Sequence, residues 1–241
     1  AGSMSLAEAA DYVGGSMKGF ADNSKDAQFY ADLMAKGATL ANTSVTELGQ
    51  ALADGSSTAA NYGQSAESAT VALLRLAEQG DTGSAASTAL AAAMKNIYTP
   101  TDQAKAAMNG LVEVYDKHTG KARDFNTIIN ELQAALSGYS DEQRNATLDT
   151  IFGIQGLDAY NKMTVTSVET QNMWTEALAT ASEGMGSAAN QYTTMTDNLQ
   201  GDIDAWGSAV EGFQIAISSG LSPTVREFVQ LGTQGVQEIT K

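Results

Sequence analysis

FNTIINELQAAL, residues 125–136, decides the reading of this chain. Phe125, Ile128, Ile129, Leu132, Ala135 and Leu136 fall at steps of 3, 1, 3, 3 and 1. At 3.6 residues per turn that spacing gathers all six on one side of an α-helix, whereas a half-buried strand needs strict alternation. Downstream, Gly138 closes the helix and Ser140 opens another, with Gln143 three residues later. The hydroxyl and the amide side chain each answer an exposed backbone group, which is a capping box. The new helix carries Ala146, Leu148, Ile151 and Phe152 as far as the sequence GIQG, residues 153–156.

Upstream the period changes. In VEVYDKHTGKARDF, residues 112–125, Val112 and Val114 alternate with Glu113 and Tyr115. DKHTG intervenes, with Gly120 where a positive φ is needed, and a small β-hairpin over about 112–125 is expected. His118, the single histidine, then sits at an exposed tip. A catalytic histidine needs a positioned nucleophile or carboxylate and partial burial, and a hairpin tip supplies neither.

Further upstream the helical signals recur. Phe20, Phe29, Tyr30, Leu33 and Met34 give an apolar face within Leu6 to Lys36, broken near GSMKGFADNS. Ser44 and Glu47 form a second capping box. Ala66 to Gln79 is a dense helix with Val71, Leu74 and Ala77 on one face and Gly80 at its end. GDTGSAAS leads into an Ala-rich helix. TPTD, residues 99–102, reads as a helix start with Thr99 as N-cap, Pro100 as the first helical residue and Asp102 as the returning carboxylate, the helix ending near Gly110.

Composition agrees. The 241 residues include 40 alanines and 2 prolines, so strong helix formers dominate and breakers are scarce, while 23 glycines punctuate. The formal net charge of -15 disfavours nucleic acid and anionic membrane surfaces as partners. Without cysteine there is no disulfide and no thiolate metal site. A zinc site would need carboxylates almost alone, which zinc rarely accepts. DNSKD, residues 22–26, fails as a calcium loop because Ala27 and Leu33 stand where Gly and Glu belong. There is no Walker loop, since GDTGSAAS lacks the lysine. No apolar run of about 18 residues exists to span a membrane. No catalytic, cofactor or metal residues are assigned, and the chain is expected not to be an enzyme.

The last third differs in kind. Trp174, Leu178, Ala181, Met185, Ala188, Tyr192, Met195, Leu199, Ile203, Trp206, Val210, Phe213 and Ile217 share one register. The mean step is about 3.58, close to the 3.5 of a left-handed supercoil. Gly184 and Gly186 flank Met185, and each costs about 1 kcal/mol inside a helix. Between Lys162 and Arg226 there is no basic residue, while seven acids occur: Glu169, Glu176, Glu183, Asp197, Asp202, Asp204 and Glu211. An ordinary solvated coiled coil flanks its seam with opposite charges. The stripe therefore has two readings: it packs on the preceding domain, or it is a seam through which chains self-associate.

The expected architecture is mainly α. AGSM, residues 1–4, reads as a cloning remnant. Residues 5–160 are read as a compact multi-helix domain with the hairpin. Residues 161–241 form a long amphipathic helix or helical hairpin, with a turn at Ser222-Pro223.

The order of these pieces resembles the core region of tail tape measure proteins from long-tailed, siphovirus-like bacteriophages and prophages. The ordered set is the capped helix Ser44 to Leu52, the G-x-x-G-S-x-A-x-x-A-L segment Gly80 to Leu90, Pro100-Thr101, the turn Asp116 to Gly120, and SDEQRNATLDTIFG, residues 140–153. The match covers roughly Asp32 to Tyr160, and GFQIAISSGLSPTVREFV resembles the stretch C-terminal to the core in that family. One departure is ALAAAMK, which offers only Lys95 where the family often has an arginine. The resemblance implies a structural protein of the virion, made in the host cytoplasm and housed in the tail lumen. It would set tail length, scaffold the tail tube and leave on DNA ejection. Its implied partners are tail tube and tail-tip proteins and assembly chaperones, with no cofactor and no direct nucleic-acid binding. Two rival classes are a secreted helical adhesin or interaction module and a cell-wall hydrolase domain using carboxylates.

Overall fold

The computed structural model describes residues 4–180. Their regular elements are helices: α1 (Leu6–Phe20), α2 (Ala27–Gly37), α3 (Val45–Asn61), α4 (Ala66–Ala77), α5 (Gly83–Tyr98), α6 (Asp102–Met108), α7 (Phe125–Ala135), α8 (Asp141–Met163) and α9 (Val168–Ala179). Most begin on a side chain that accepts a bond from the N3 backbone N–H: Ser5, Asp26, Ser44, Ser65, Thr101, Asp124, Ser140 and Ser167. The boxes at Ser44/Glu47 and Ser140/Gln143 form as expected, and a third joins Ser5 and Glu8. These bonds are local, so each of those helices carries its start signal within its own stretch of sequence.

α4 is the hub. Every residue from Ala69 to Ala77 is buried, Thr70 and Arg75 included, so the helix is enclosed on all sides and not only on the Val71, Leu74 and Ala77 face. It packs against α2, α3, α5, α7, α8 and α9. Phe125, Ile128, Ile129, Leu132 and Leu136, the stripe read first, are fully buried in the same core. Trp174 and Leu178 of α9 join that core, so packing continues past residue 160.

α1 lies on α3 by a different device. A Cβ at Gly15 would sit 3.1 Å from Ala53 Cβ, and one at Gly19 only 1.8 Å from Ser56 Oγ. Two backbones thus approach where side chains are missing, while Tyr12, Val13, Met17 and Phe20 of α1 pack, partly buried, against the core.

The expected hairpin is not there. No strand occurs among the described residues; the segment closes with one isolated antiparallel bridge, Tyr115 to Ala122. The ladder has no room to grow. Val112 N–H still donates to Met108 O at the end of α6 (3.3 Å), and Asp124 is already the N-cap of α7. The alternation at Val112 and Val114 is real, but helices claim both flanks.

TPTD is also used differently. Thr99 ends α5, its hydroxyl bonding back to Lys95 O at 2.8 Å, and Thr101 caps α6. Pro100 stands between the helices and stops the first. Near the middle of α8, Gly153 (φ 58°, ψ −176°) interrupts helical geometry, which only glycine adopts readily. No helix among the described residues is long and apolar enough to cross a membrane.

Candidate functional site

Three places gather polar side chains or leave a groove open to solvent. The first is the turn around His118. Asp116 Oδ1 accepts bonds from His118 N (3.0 Å), Thr119 N (2.7 Å) and Thr119 Oγ1 (2.8 Å). Asp116 N–H donates to Lys121 O at 2.8 Å, and Gly120 (φ 68°) donates back to Asp116 O at 2.8 Å. The bonds from Thr119, with His118 N–H behind them, hold the Asp116 carboxyl below its ordinary range. One oxygen of that carboxylate, Oδ1, takes all three of the bonds that shape the turn, and His118 stays exposed at its tip. The turn is tied down at its base. Arg123 forms a bidentate pair with Glu131 (2.8 and 2.6 Å), and Tyr115 OH donates to Tyr98 O at 2.8 Å.

The second place is a buried polar network around Arg75, whose side chain is fully enclosed. Its Nε donates to Met163 O (2.9 Å) and its two terminal nitrogens to Asn126 Oδ1 and Asn130 Oδ1 (3.2 Å each). Asn130 passes a bond to Gln171 Oε1 (2.9 Å), and Gln171 donates to Thr166 O at 2.9 Å. Beside it, Gln64 Oε1 accepts from Phe125 N (2.8 Å), and Ser68 Oγ bonds the Asp124 carboxylate. One guanidinium therefore joins α4, α7, the last carbonyl of α8 and, through Asn130, α9. Burial pulls Arg75 down to about 10, with Asp124 opposing that shift. It stays protonated at neutral pH among neutral acceptors and acts as a tie, with no reacting partner beside it.

The third place is a groove where α5 meets the break in α8. Ala91, Ala92, Lys95, Asn96, Phe152, Gly153 and Ile154 line it. Asn96 Nδ2 donates to Phe152 O at 2.6 Å. The carbonyl that a straight helix would bond internally thus takes a side-chain donor from α5. Ile154 is 88% exposed.

Among the described residues no group of three acidic or histidine side chains is placed to hold a metal ion. Of the stripe residues, Trp174 (5% exposed) and Leu178 (0%) face the body of their own chain. Met185, Tyr192, Met195, Leu199, Ile203, Trp206, Val210, Phe213 and Ile217 lie outside the described residues. Sequence reasoning passed over Arg75, Asn126, Asn130 and Gln171. The available signal was a lone arginine inside the apolar run ATVALLRLA. Ile154 also went unnoticed, because position within GIQG does not reveal exposure.

The arrangement is that of a helical body held by caps and internal ties. Residues 1–153 match the family of phage-related minor tail proteins, and the chain belongs to that family. It is 27% identical over 225 residues to the tape measure protein of Pneumococcus phage Dp-1, a match covering 93% of this chain. The chain spans 19% of that relative's length. No solved structure is similar to it.

Proposed function

We propose that this chain is the core portion of a tape measure protein: a structural part of the phage tail that occupies the tail lumen, helps to set tail length and leaves on DNA ejection. One observation carries the reading, the similarity over 93% of the chain to a phage tape measure protein. The structure supports it physically. Polar side chains are used to start helices and tie them together, and the His118 turn is a structural device. Tail tube proteins, tail-tip proteins and assembly chaperones are the partners this reading names, and assembly in the host cytoplasm precedes residence in the virion. The net charge of -15 suits a lumen shared with DNA, since like charge keeps the two from adhering.

The test is tail length. In the phage that encodes the chain, in-frame deletions in the helical portions of the full gene should shorten tails by about 1.5 Å per helical residue removed. Electron micrographs give the length directly. Tails of unchanged length from viable deletions would overturn the reading.

A further inference from the structure

Asn109 and Gly110, at the end of α6, are the one Asn-Gly pair among the chain's 12 asparagines. The structure sets them at the centre of a turn. Asn109 has φ −61° and ψ 122°, Gly110 has φ 80°, and Leu111 N–H donates to Met108 O at 3.0 Å. Those are the angles and the bond of a type II turn, whose third position needs positive φ and so favours glycine. Both residues are exposed, and a Cβ on Gly110 would meet nothing within 4 Å. The peptide bond between them therefore lies open to water, and Gly110 has no side chain to shield its nitrogen. Asparagine is a chemically labile residue, and an unshielded nitrogen next to it is what its side-chain amide reacts with.

We propose that Asn109 is the residue at which this chain ages: a site of spontaneous deamidation whose rate is set by opening of the turn. The Gly110 nitrogen, losing its proton to hydroxide, attacks Asn109 Cγ. The new N–Cγ bond closes a five-membered succinimide, the Cγ–Nδ2 bond breaks and ammonia leaves. Water then opens the ring at one carbonyl or the other, giving aspartate or its β-linked isomer. Ring closure needs Asn109 Cβ and Gly110 N nearly eclipsed about the Cα–C bond, and ψ 122° holds them well apart. The intact turn is thus protective, and reaction waits for local opening. The next candidate by sequence, Asn23 before Ser24, is hindered otherwise: Ser24 carries a side chain, and its N–H already donates to Asp22 Oδ1 at 2.9 Å. The effect of reaction at Asn109 reaches inward. Met108 O also accepts from Val112 N–H at 3.3 Å, and Leu111, Val112 and Val114 pack partly buried against the core. The β-linked isomer lengthens the main chain by a carbon inside that turn and loosens the segment that follows.

This goes beyond the tail reading and stands or falls separately from it. The full chain is warmed at mildly alkaline pH, and mass spectrometry of its digests follows the conversion of each asparagine to an acid. Asn109 should convert first, at a rate that rises with hydroxide. In guanidinium chloride strong enough to unfold the chain, Asn109 should convert at least about tenfold faster, because the folded turn is closed most of the time. Asn109→Gln, which cannot close the same five-membered ring, should abolish the early conversion. Hydrogen exchange at Leu111, Val112 and Val114 should quicken in the aged natural chain and stay unchanged in aged Asn109→Gln. Earlier conversion at any other asparagine would overturn the assignment. Equal rates for Asn109 in the folded and unfolded chain would overturn the control by the turn.

Discussion

Arg75 shows how much can hang on one side chain. Enclosing a guanidinium costs several kcal/mol unless its donors are matched, and here they meet a main-chain carbonyl and two amide oxygens. Arg75→Met would fill similar volume but leave Met163 O, Asn126 Oδ1 and Asn130 Oδ1 without that donor. We expect a loss of about 3–5 kcal/mol, measured as a lowered urea midpoint. Loss under 1 kcal/mol would show that the amides find other partners. The sequence could not reveal this tie, because the partners lie 88, 51 and 55 residues away. Asp116 is the opposite case. Its bonds reach only two and three residues along the chain, and the turn was legible for that reason.

Elements were readable to the extent that their ends are local. Ser44 with Glu47 and Ser140 with Gln143 act within four residues, so the cap predicts the helix. Thr99 and Thr101 are equally good caps by type, and the choice fell to α5, which runs through Tyr98 and leaves Thr101 to start α6. The alternating valines signalled a strand, yet α6 and α7 leave space for one bridge only. The α1–α3 contact was not legible, since glycine spacing does not state what lies opposite. Its prediction is direct. Gly19→Ala places a methyl carbon 1.8 Å from Ser56 Oγ and forces α1 away from α3. Overpacking of this kind costs about 1–3 kcal/mol. Hydrogen exchange should speed up in α1 while α4 stays protected, and uniform exchange would contradict the separate attachment of α1.

The whole molecule should be sensitive to alkali. Burial first, and nearby acids second, push the Tyr30 hydroxyl up to about 12, and burial pushes Tyr160 to about 12 as well. Tyr98 moves the same way. A phenol whose folded pKa lies above its unfolded value of about 10 contributes stability that is intact below pH 10 and lost as pH rises through 12. Two such shifts amount to about 2–3 kcal/mol each. Arg75, pulled down to about 10, works in the other direction over the same window. Three phenols against one guanidinium leave a net loss. Ellipticity and tyrosinate absorbance should therefore change together between pH 10 and 12. Ionisation of all 8 tyrosines by about pH 10 in a still-folded protein would refute the burial of these three.

The side-chain caps at the helix starts have a mechanical corollary. Each is a short loop of chain closed on itself, indifferent to whether neighbouring helices are in place. Tension applied across the helical body would peel helix from helix before it unwound any one of them. Once the load was released, the pieces would return with their boundaries already drawn.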